Sequence, residues 1–125
     1  MRGQPDFDLY LITDRRQTRG RDLLWVVEQA LAGGTPAVQL REKDLGGKEL
    51  LALAEGVKKL CARYGASLWI NDRVDVALAV DADGVQLGSG SLPIAAARAL
   101  VGERRLIGRS THSLAEARAA ERAGA

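Results

Sequence analysis

The sequence repeats one short pattern five times: an apolar run, a polar end, and then a stretch whose apolar residues have helical spacing. The clearest copy is segment 68–78, with an apolar run up to Ile70, the polar pair Asn71 and Asp72, and then apolar residues three and four positions after Val74, at Ala77 and Leu78. Such a run is typical of a strand buried on both faces, and spacings of three and four are typical of a helix. Alternating strands and helices predict a parallel sheet covered by helices, because parallel neighbours need a crossover connection.

The five units predict a single domain over residues 1–125, since no linker or low-complexity stretch divides them. The predicted strands, with their polar ends, are residues 9–14, 37–43, 68–72, 84–88 and 106–112. Two α/β architectures fit this pattern. One is part of a TIM (βα)8 barrel, and the other is an open flavodoxin-like parallel sheet. A whole barrel needs about 200 residues or more, and composition and periodicity do not separate the two.

The composition narrows the class of ligand. Hydrophobic residues make up 46% of the chain and charged residues 27%, with a net charge of +2 and few aromatic residues, which argues against nucleic-acid binding. No apolar run approaches the ~20 residues of a membrane span. The single cysteine, Cys61, excludes a disulfide framework and favours a reducing compartment. We therefore expect a cytoplasmic protein that binds a small molecule.

Polar side chains end each predicted strand. They are Thr13 and Asp14, then Gln39, Arg41 and Lys43, then Asn71 and Asp72, then Gln86 with the loop 89–91, and finally residues 109–113. Because the carboxyl ends of parallel strands meet at one edge of a sheet, we expect these side chains to converge. Arg41 and Lys43 suit a phosphate group, one as a bidentate fork and the other as a point charge. Asp72 suits Mg²⁺ or a basic partner.

Structural roles compete with these functional ones. Arg41 and Lys43 could instead form ion pairs with the neighbouring Glu42 or Asp44, and such networks imitate binding sites. Asp72 is also expected to cap the helix that follows it, because aspartate is a preferred N-cap residue.

Five motifs then follow one another in order. They are LYLITD at 9–14, VQLREKD at 38–44, INDRVDVA at 70–77, ADGVQLG at 82–88 and IGRSTHS at 107–113. Together they resemble the thiamine-phosphate synthase family, which includes the TenI-type thiazole tautomerases. The resemblance implies a TIM barrel of which these are the first five units. It also implies one of two activities: condensation of a pyrimidine diphosphate with a thiazole phosphate using Mg²⁺, or metal-free aromatisation of a carboxythiazole phosphate.

The same resemblance assigns residues. The positions that match substrate contacts are Gln39, Arg41 and Lys43 for the diphosphate, Asn71 for the pyrimidine, and Ser110. Asp72 matches the first Mg²⁺ ligand, but Ser91 stands where a second carboxylate is expected and Gln86 where a histidine is usual. A serine hydroxyl is a poor substitute for a hard anionic ligand.

These departures favour the TenI-like tautomerase, with the synthase and a non-catalytic phosphate-ligand binder or regulatory remnant as alternatives. No catalytic residue is assigned, because His112 does not match the proton-transferring histidine of the TenI type and a lone histidine is more often structural. Mg²⁺ is expected only if the protein is synthase-like. Five units of a barrel would leave open edges at residues 9–14 and 106–111, so we expect a homo-oligomer.

Overall fold

The computed structural model describes residues 5–125. Strands and helices alternate along this range as the sequence predicts. The strands are β1 (Leu11–Ile12), β2 (Ala37–Leu40), β3 (Ser67–Asn71), β4 (Gly84–Leu87) and β5 (Leu106–Arg109). The helices are α1 (Leu23–Ala32), α2 (Gly47–Tyr64), α3 (Val74–Ala79), α4 (Ile94–Val101) and α5 (Leu114–Ala123). No helix in residues 5–125 has both the length and the apolar character needed to cross a bilayer.

The five strands form one parallel sheet in the order β1-β2-β3-β4-β5. This order differs from the flavodoxin-like order 2-1-3-4-5 and is that of consecutive neighbours in a barrel wall. The helices pack in the same succession, each against the next from α1 to α5. The α/β class is therefore confirmed, and over the described residues the sheet is open, with β1 and β5 at its edges.

The main core lies between the sheet and the helices. Its largest fully buried side chains include Leu40, Leu68, Ile70, Leu87 and Val57. Burying each such side chain contributes about 1.5–3 kcal/mol. Alternate strand residues therefore point towards the helices, and the residues between them face the opposite side of the sheet.

An aromatic cluster covers part of that opposite face. The ring centroid of Phe7 lies 5.2 Å from that of Tyr10 and 6.1 Å from that of Trp69, and Trp69 is 4% exposed. The indole fits because the strand beside it carries no side chain at Gly84, where an added Cβ would lie 2.5 Å from the ring. A Cβ at Gly108 would lie 3.5 Å from the ring and would clash with the Gln86 amide.

Four of the strands are shorter than their predicted ranges, and β3 has the predicted length but lies one position earlier. Thr13 turns its hydroxyl into the protein, and Asp14 caps a short 3-10 helix over Arg15–Gln17. After Leu40 the Arg41 amide donates to the Thr13 hydroxyl, 2.9 Å away, instead of to a neighbouring strand. These departures hold the first two strand ends together.

Candidate functional site

A groove of about 420 Å³ lies at the carboxyl ends of the strands. It is lined by Arg41, Lys43, Asn71, Asp72, the loop 88–91, Ser110 and His112. The polar ends of β2 to β5 therefore converge, as the sequence predicts. Of the predicted binding residues only Gln39 is not a lining residue; it is 4% exposed and contacts Asn71 directly.

Arg41 and Lys43 present two exposed cations to this groove. Their side chains make no hydrogen bond or ion pair within the described range 5–125. The alternative that they pair with Glu42 or Asp44 is wrong, because those carboxylates bind arginines of the 3-10 segment instead. The positive charge at this end of β2 is therefore left for a ligand.

A buried carboxylate anchors the same segment from behind. Glu42 accepts hydrogen bonds from the Thr13 hydroxyl at 2.7 Å, and from the backbone N–H and Nη1 of Arg15 at 3.0 and 3.1 Å. Asp44 accepts a bidentate pair from Arg15 at 2.6 and 2.5 Å and a further bond from Arg16 at 2.7 Å. The Arg15 guanidinium lowers the pKa of the Asp44 carboxyl to about 2.

A chain of hydrogen bonds orients the polar groups beneath the groove. The Asn71 amide Nδ2 donates to Gln39 Oε1 at 3.0 Å, and Gln39 Nε2 donates to the Tyr10 hydroxyl at 3.2 Å. Burial raises the pKa of Tyr10 to about 12, so its hydroxyl is protonated at neutral pH. With these amide orientations, assigned from the hydrogen-bond network, Asn71 keeps its carbonyl oxygen Oδ1 as an acceptor for a ligand donor.

Asp72 has an unusual backbone conformation. Its φ is +63°, in the left-handed region, and the strand neighbour holds it there through a 2.7 Å bond from the Asp72 N–H to the Gln86 carbonyl. The prediction that it caps α3 is wrong, because Arg73 occupies the N-cap position and no side chain caps that helix. The Asp72 carboxylate is exposed and has no hydrogen bond or ion pair within residues 5–125.

The groove suits Mg²⁺ only as a site shared with a ligand. Asp72 offers one hard carboxylate, whereas the Ser91 hydroxyl already accepts a 2.8 Å bond from the Gly88 N–H. No group of three acidic, histidine or cysteine residues lies together in the described part of the chain. Mg²⁺ is commonly held by one or two carboxylates together with substrate phosphates, and this donor set fits that arrangement.

The remaining predicted residues divide between the groove and structural roles. Ser110 lines the groove and accepts a 3.2 Å bond from Gln86 Nε2. His112 also lines it, with its side chain 82% exposed and 3.7 Å from Glu116. Arg109 donates to the Gly88 carbonyl and so holds the loop that completes the groove.

The sequence did not reveal the role of Arg15. Its partners Glu42 and Asp44 lie 27 and 29 positions away in the sequence. One signal was present. Acidic residues alternate with basic ones at 41–44, so if the bases face the groove, the acids face away and need cations from another segment.

These features define an α/β protein whose strand ends form a cationic groove beside a carboxylate. The family described as thiamine monophosphate synthase matches residues 9–125. Over 120 residues, 96% of this chain, the thiamine-phosphate synthases of Syntrophomonas wolfei and Clostridium acetobutylicum are 48% and 46% identical. A Geobacter sulfurreducens protein, whose name also refers to thiamine-phosphate synthase, is 60% identical over the same share.

A solved structure with a related name also matches the chain. The thiamine phosphate pyrophosphorylase from Pyrococcus furiosus superposes with a TM-score of 0.87 and 44% identity, covering 94% of this chain and 56% of that one. The chain therefore belongs to the thiamine monophosphate synthase family, which confirms the resemblance seen in the motifs. It spans 56–57% of the length of the three relatives named above.

Proposed function

We propose that the chain provides the diphosphate-binding side of a thiamine-phosphate synthase, which joins a pyrimidine diphosphate to a thiazole phosphate and releases pyrophosphate. The observation that carries the proposal is that Arg41, Lys43 and the Asp72 carboxylate lie in one groove, where none of the three side chains has a hydrogen bond or ion pair within residues 5–125. Two cations suit a diphosphate, and a lone carboxylate suits a metal ion that the diphosphate also binds. The names of the relatives favour the synthase over the tautomerase that we first expected.

In this reaction the chain's own residues act mainly on the leaving group. Negative charge grows on the pyrophosphate as its bond to the pyrimidine methylene breaks, so Arg41 and Lys43 would stabilise the transition state more than the ground state. Asn71 Oδ1 would accept a hydrogen bond from an amino group on the pyrimidine and fix the ring. Ser110 would contact the substrate from β5. Asp72 would hold Mg²⁺, which supplies further neutralisation of the diphosphate charge.

A TenI-like tautomerase remains the second candidate, on a specific observation. Ser91 stands at the second metal position and uses its hydroxyl to bind the Gly88 N–H, which leaves Asp72 as the only carboxylate that lines the groove in the described part of the chain. A metal-independent reaction on a thiazole phosphate would need the two cations but not Asp72. The two candidates therefore differ in their dependence on Mg²⁺.

The test is calorimetric binding of inorganic pyrophosphate to the 125-residue chain, with and without Mg²⁺. We expect binding that Mg²⁺ strengthens, a loss of about 1.5–3 kcal/mol in Arg41→Ala, and loss of the Mg²⁺ effect in Asp72→Asn. Arg118→Ala on α5 is the control, because it removes one exposed positive charge outside the groove. Pyrophosphate binding that does not change with Mg²⁺ would favour the tautomerase. No binding by the unsubstituted chain would contradict both the synthase and the tautomerase.

We further propose a cytoplasmic location and a homo-oligomeric state for the working protein. Cys61 supports the first: it is a free thiol, 1% exposed, and burial raises its pKa to about 11. A buried neutral thiol of this kind is an inert filler of the core and needs no oxidising compartment. The open edges of the sheet at β1 and β5 support the second, because bare strand edges pair with other chains.

A further inference from the structure

We propose that Thr13, Arg15 and Glu42 form a positioning clamp that aims Arg41 and Lys43 into the groove. This Glu42 clamp rests on the proposed function, since it concerns how the two diphosphate-binding cations are held. None of its three members lines the groove. Their effect on a ligand would be exerted through the backbone of residues 41–43.

The backbone of Arg41 is tied to the Thr13 side chain. Beyond Leu40 the chain has left the sheet, and the Arg41 N–H donates to the Thr13 hydroxyl at 2.9 Å. That hydroxyl in turn donates its proton to Glu42 Oε2 at 2.7 Å. One hydroxyl therefore ties together the backbone of Arg41 and the side chain of the next residue, and Thr13 itself is 4% exposed.

Glu42 is buried, whereas the residues on either side of it are exposed. Glu42 is 5% exposed and is held on the protein side by both of its oxygens. Its two neighbours in sequence, Arg41 and Lys43, are both exposed, and both line the groove. Holding Glu42 inward therefore fixes the backbone from which both cations reach the groove.

Glu42 and Asp44 are neutralised by Arg15 and Arg16, two acids against two bases. The four charges cancel locally, so none of them neutralises the cations at the groove. Arg41 and Lys43 lie two positions apart and repel each other when no ligand is bound, and the clamp opposes their separation.

The test uses three substitutions of one hydroxyl. Thr13→Val is nearly isosteric and removes both hydrogen bonds, Thr13→Ala removes them without added bulk, and Thr13→Ser retains the hydroxyl. We expect Val and Ala to weaken pyrophosphate binding about tenfold, a loss of ~1.4 kcal/mol. Serine should restore the affinity to within about twofold, ~0.4 kcal/mol. The Arg41 amide should exchange with deuterium faster in Val and Ala than in the unsubstituted chain or in Thr13→Ser.

The control is Asp83→Ala. Asp83 Oδ2 also accepts a backbone N–H, from Leu68 at 2.8 Å, but at the opposite end of the strands. It should reduce thermal stability without changing pyrophosphate affinity. The salt dependence of pyrophosphate binding separates a positioning residue from a residue that contacts the ligand. Thr13→Val keeps every groove charge, so the slope of log affinity against log salt concentration should stay the same. Arg41→Ala removes a charge and should lower that slope.

The outcomes distinguish the clamp from the proposed function. If the unsubstituted chain binds pyrophosphate and Arg41→Ala weakens that binding while Thr13→Val leaves it unchanged, the clamp is overturned and the proposed function stands. If the unsubstituted chain binds no pyrophosphate, both fall. If neither Thr13→Val nor Thr13→Ala unfolds cooperatively, the hydroxyl holds the fold and the positioning role is overturned.

Discussion

At the scale of single residues, Asp72 combines an unfavourable backbone with an unpartnered side chain. Left-handed φ values are uncommon outside glycine, although aspartate and asparagine tolerate them better than other residues. Here two neighbours enforce the conformation, since the Asp72 N–H binds the Gln86 carbonyl and the Val74 N–H binds the Asp72 carbonyl. Strained residues that persist in this way concentrate at binding sites.

Substitutions at Asp72 should separate the backbone from the carboxylate. Asp72→Asn and Asp72→Val both remove the charge, but only valine is β-branched and conflicts with a φ of +63°. We expect valine to lower the free energy of unfolding by about 1–2 kcal/mol more than asparagine. Urea denaturation measures both. Equal stability of the two variants would contradict the strained conformation.

The sequence predicted the members of the site better than their partners. Arg41, Lys43, Asn71 and Ser110 line one groove because the carboxyl ends of neighbouring parallel strands must meet. The interpretation of Asp72 as a helix cap failed because local sequence does not reveal which residue turns the chain into a helix. Partners distant in sequence are set by strand pairing, and the pattern alone did not give the order of strands.

At the scale of elements, the close approach of neighbouring strands limits which side chains fit on the face of the sheet opposite the helices. β3 places Trp69 against β4, and β4 allows this only because it has glycine opposite the indole. The strand predicted at 84–88 includes Gly84, but the sequence pattern does not explain why a glycine is needed there. The explanation is the Trp69 side chain on the neighbouring strand, which the pattern of a single strand cannot reveal.

Gly84→Ala should therefore destabilise the sheet. The new Cβ would lie 2.5 Å from the Trp69 ring, and the ring must shift. Overpacking of this kind costs about 1–3 kcal/mol. The matched control is Gly90→Ala, where nothing lies within 4 Å of the added carbon. Chemical denaturation followed by circular dichroism measures both, and equal midpoints would contradict the packing of the indole on β4.

At the scale of the whole molecule, the two edges of the sheet are exposed. Ile12 on β1 is 53% exposed, and Leu114, the first residue of the helix that follows β5, is 66% exposed. Bare parallel edges with apolar side chains tend to associate with other chains. The sequence predicts these edge strands from their apolar runs. Their order across the sheet follows from the family resemblance and not from the alternation of strands and helices.

We expect the 125-residue chain to be larger than a monomer in solution, with an edge strand buried against a second copy. Light scattering coupled to size exclusion measures the mass. Ile12→Lys or Leu114→Lys should shift it towards the monomer, whereas Leu100→Lys, on the outer surface of α4 and 55% exposed, should not. A monomeric mass for the unsubstituted chain would favour a self-sufficient open sheet.

The succession of strands also determines how order spreads through the molecule. Each strand pairs only with strands of the adjoining units, and the helices pack in the same succession. Such an arrangement is quasi-one-dimensional, so its stability is approximately a sum of units and of interfaces between neighbours. Units at the ends have one interface and central units have two. Within residues 5–125 we therefore expect cooperativity to decrease from the middle outward, so that β3, which carries Asn71 at its end, unfolds after the edge strands β1 and β5.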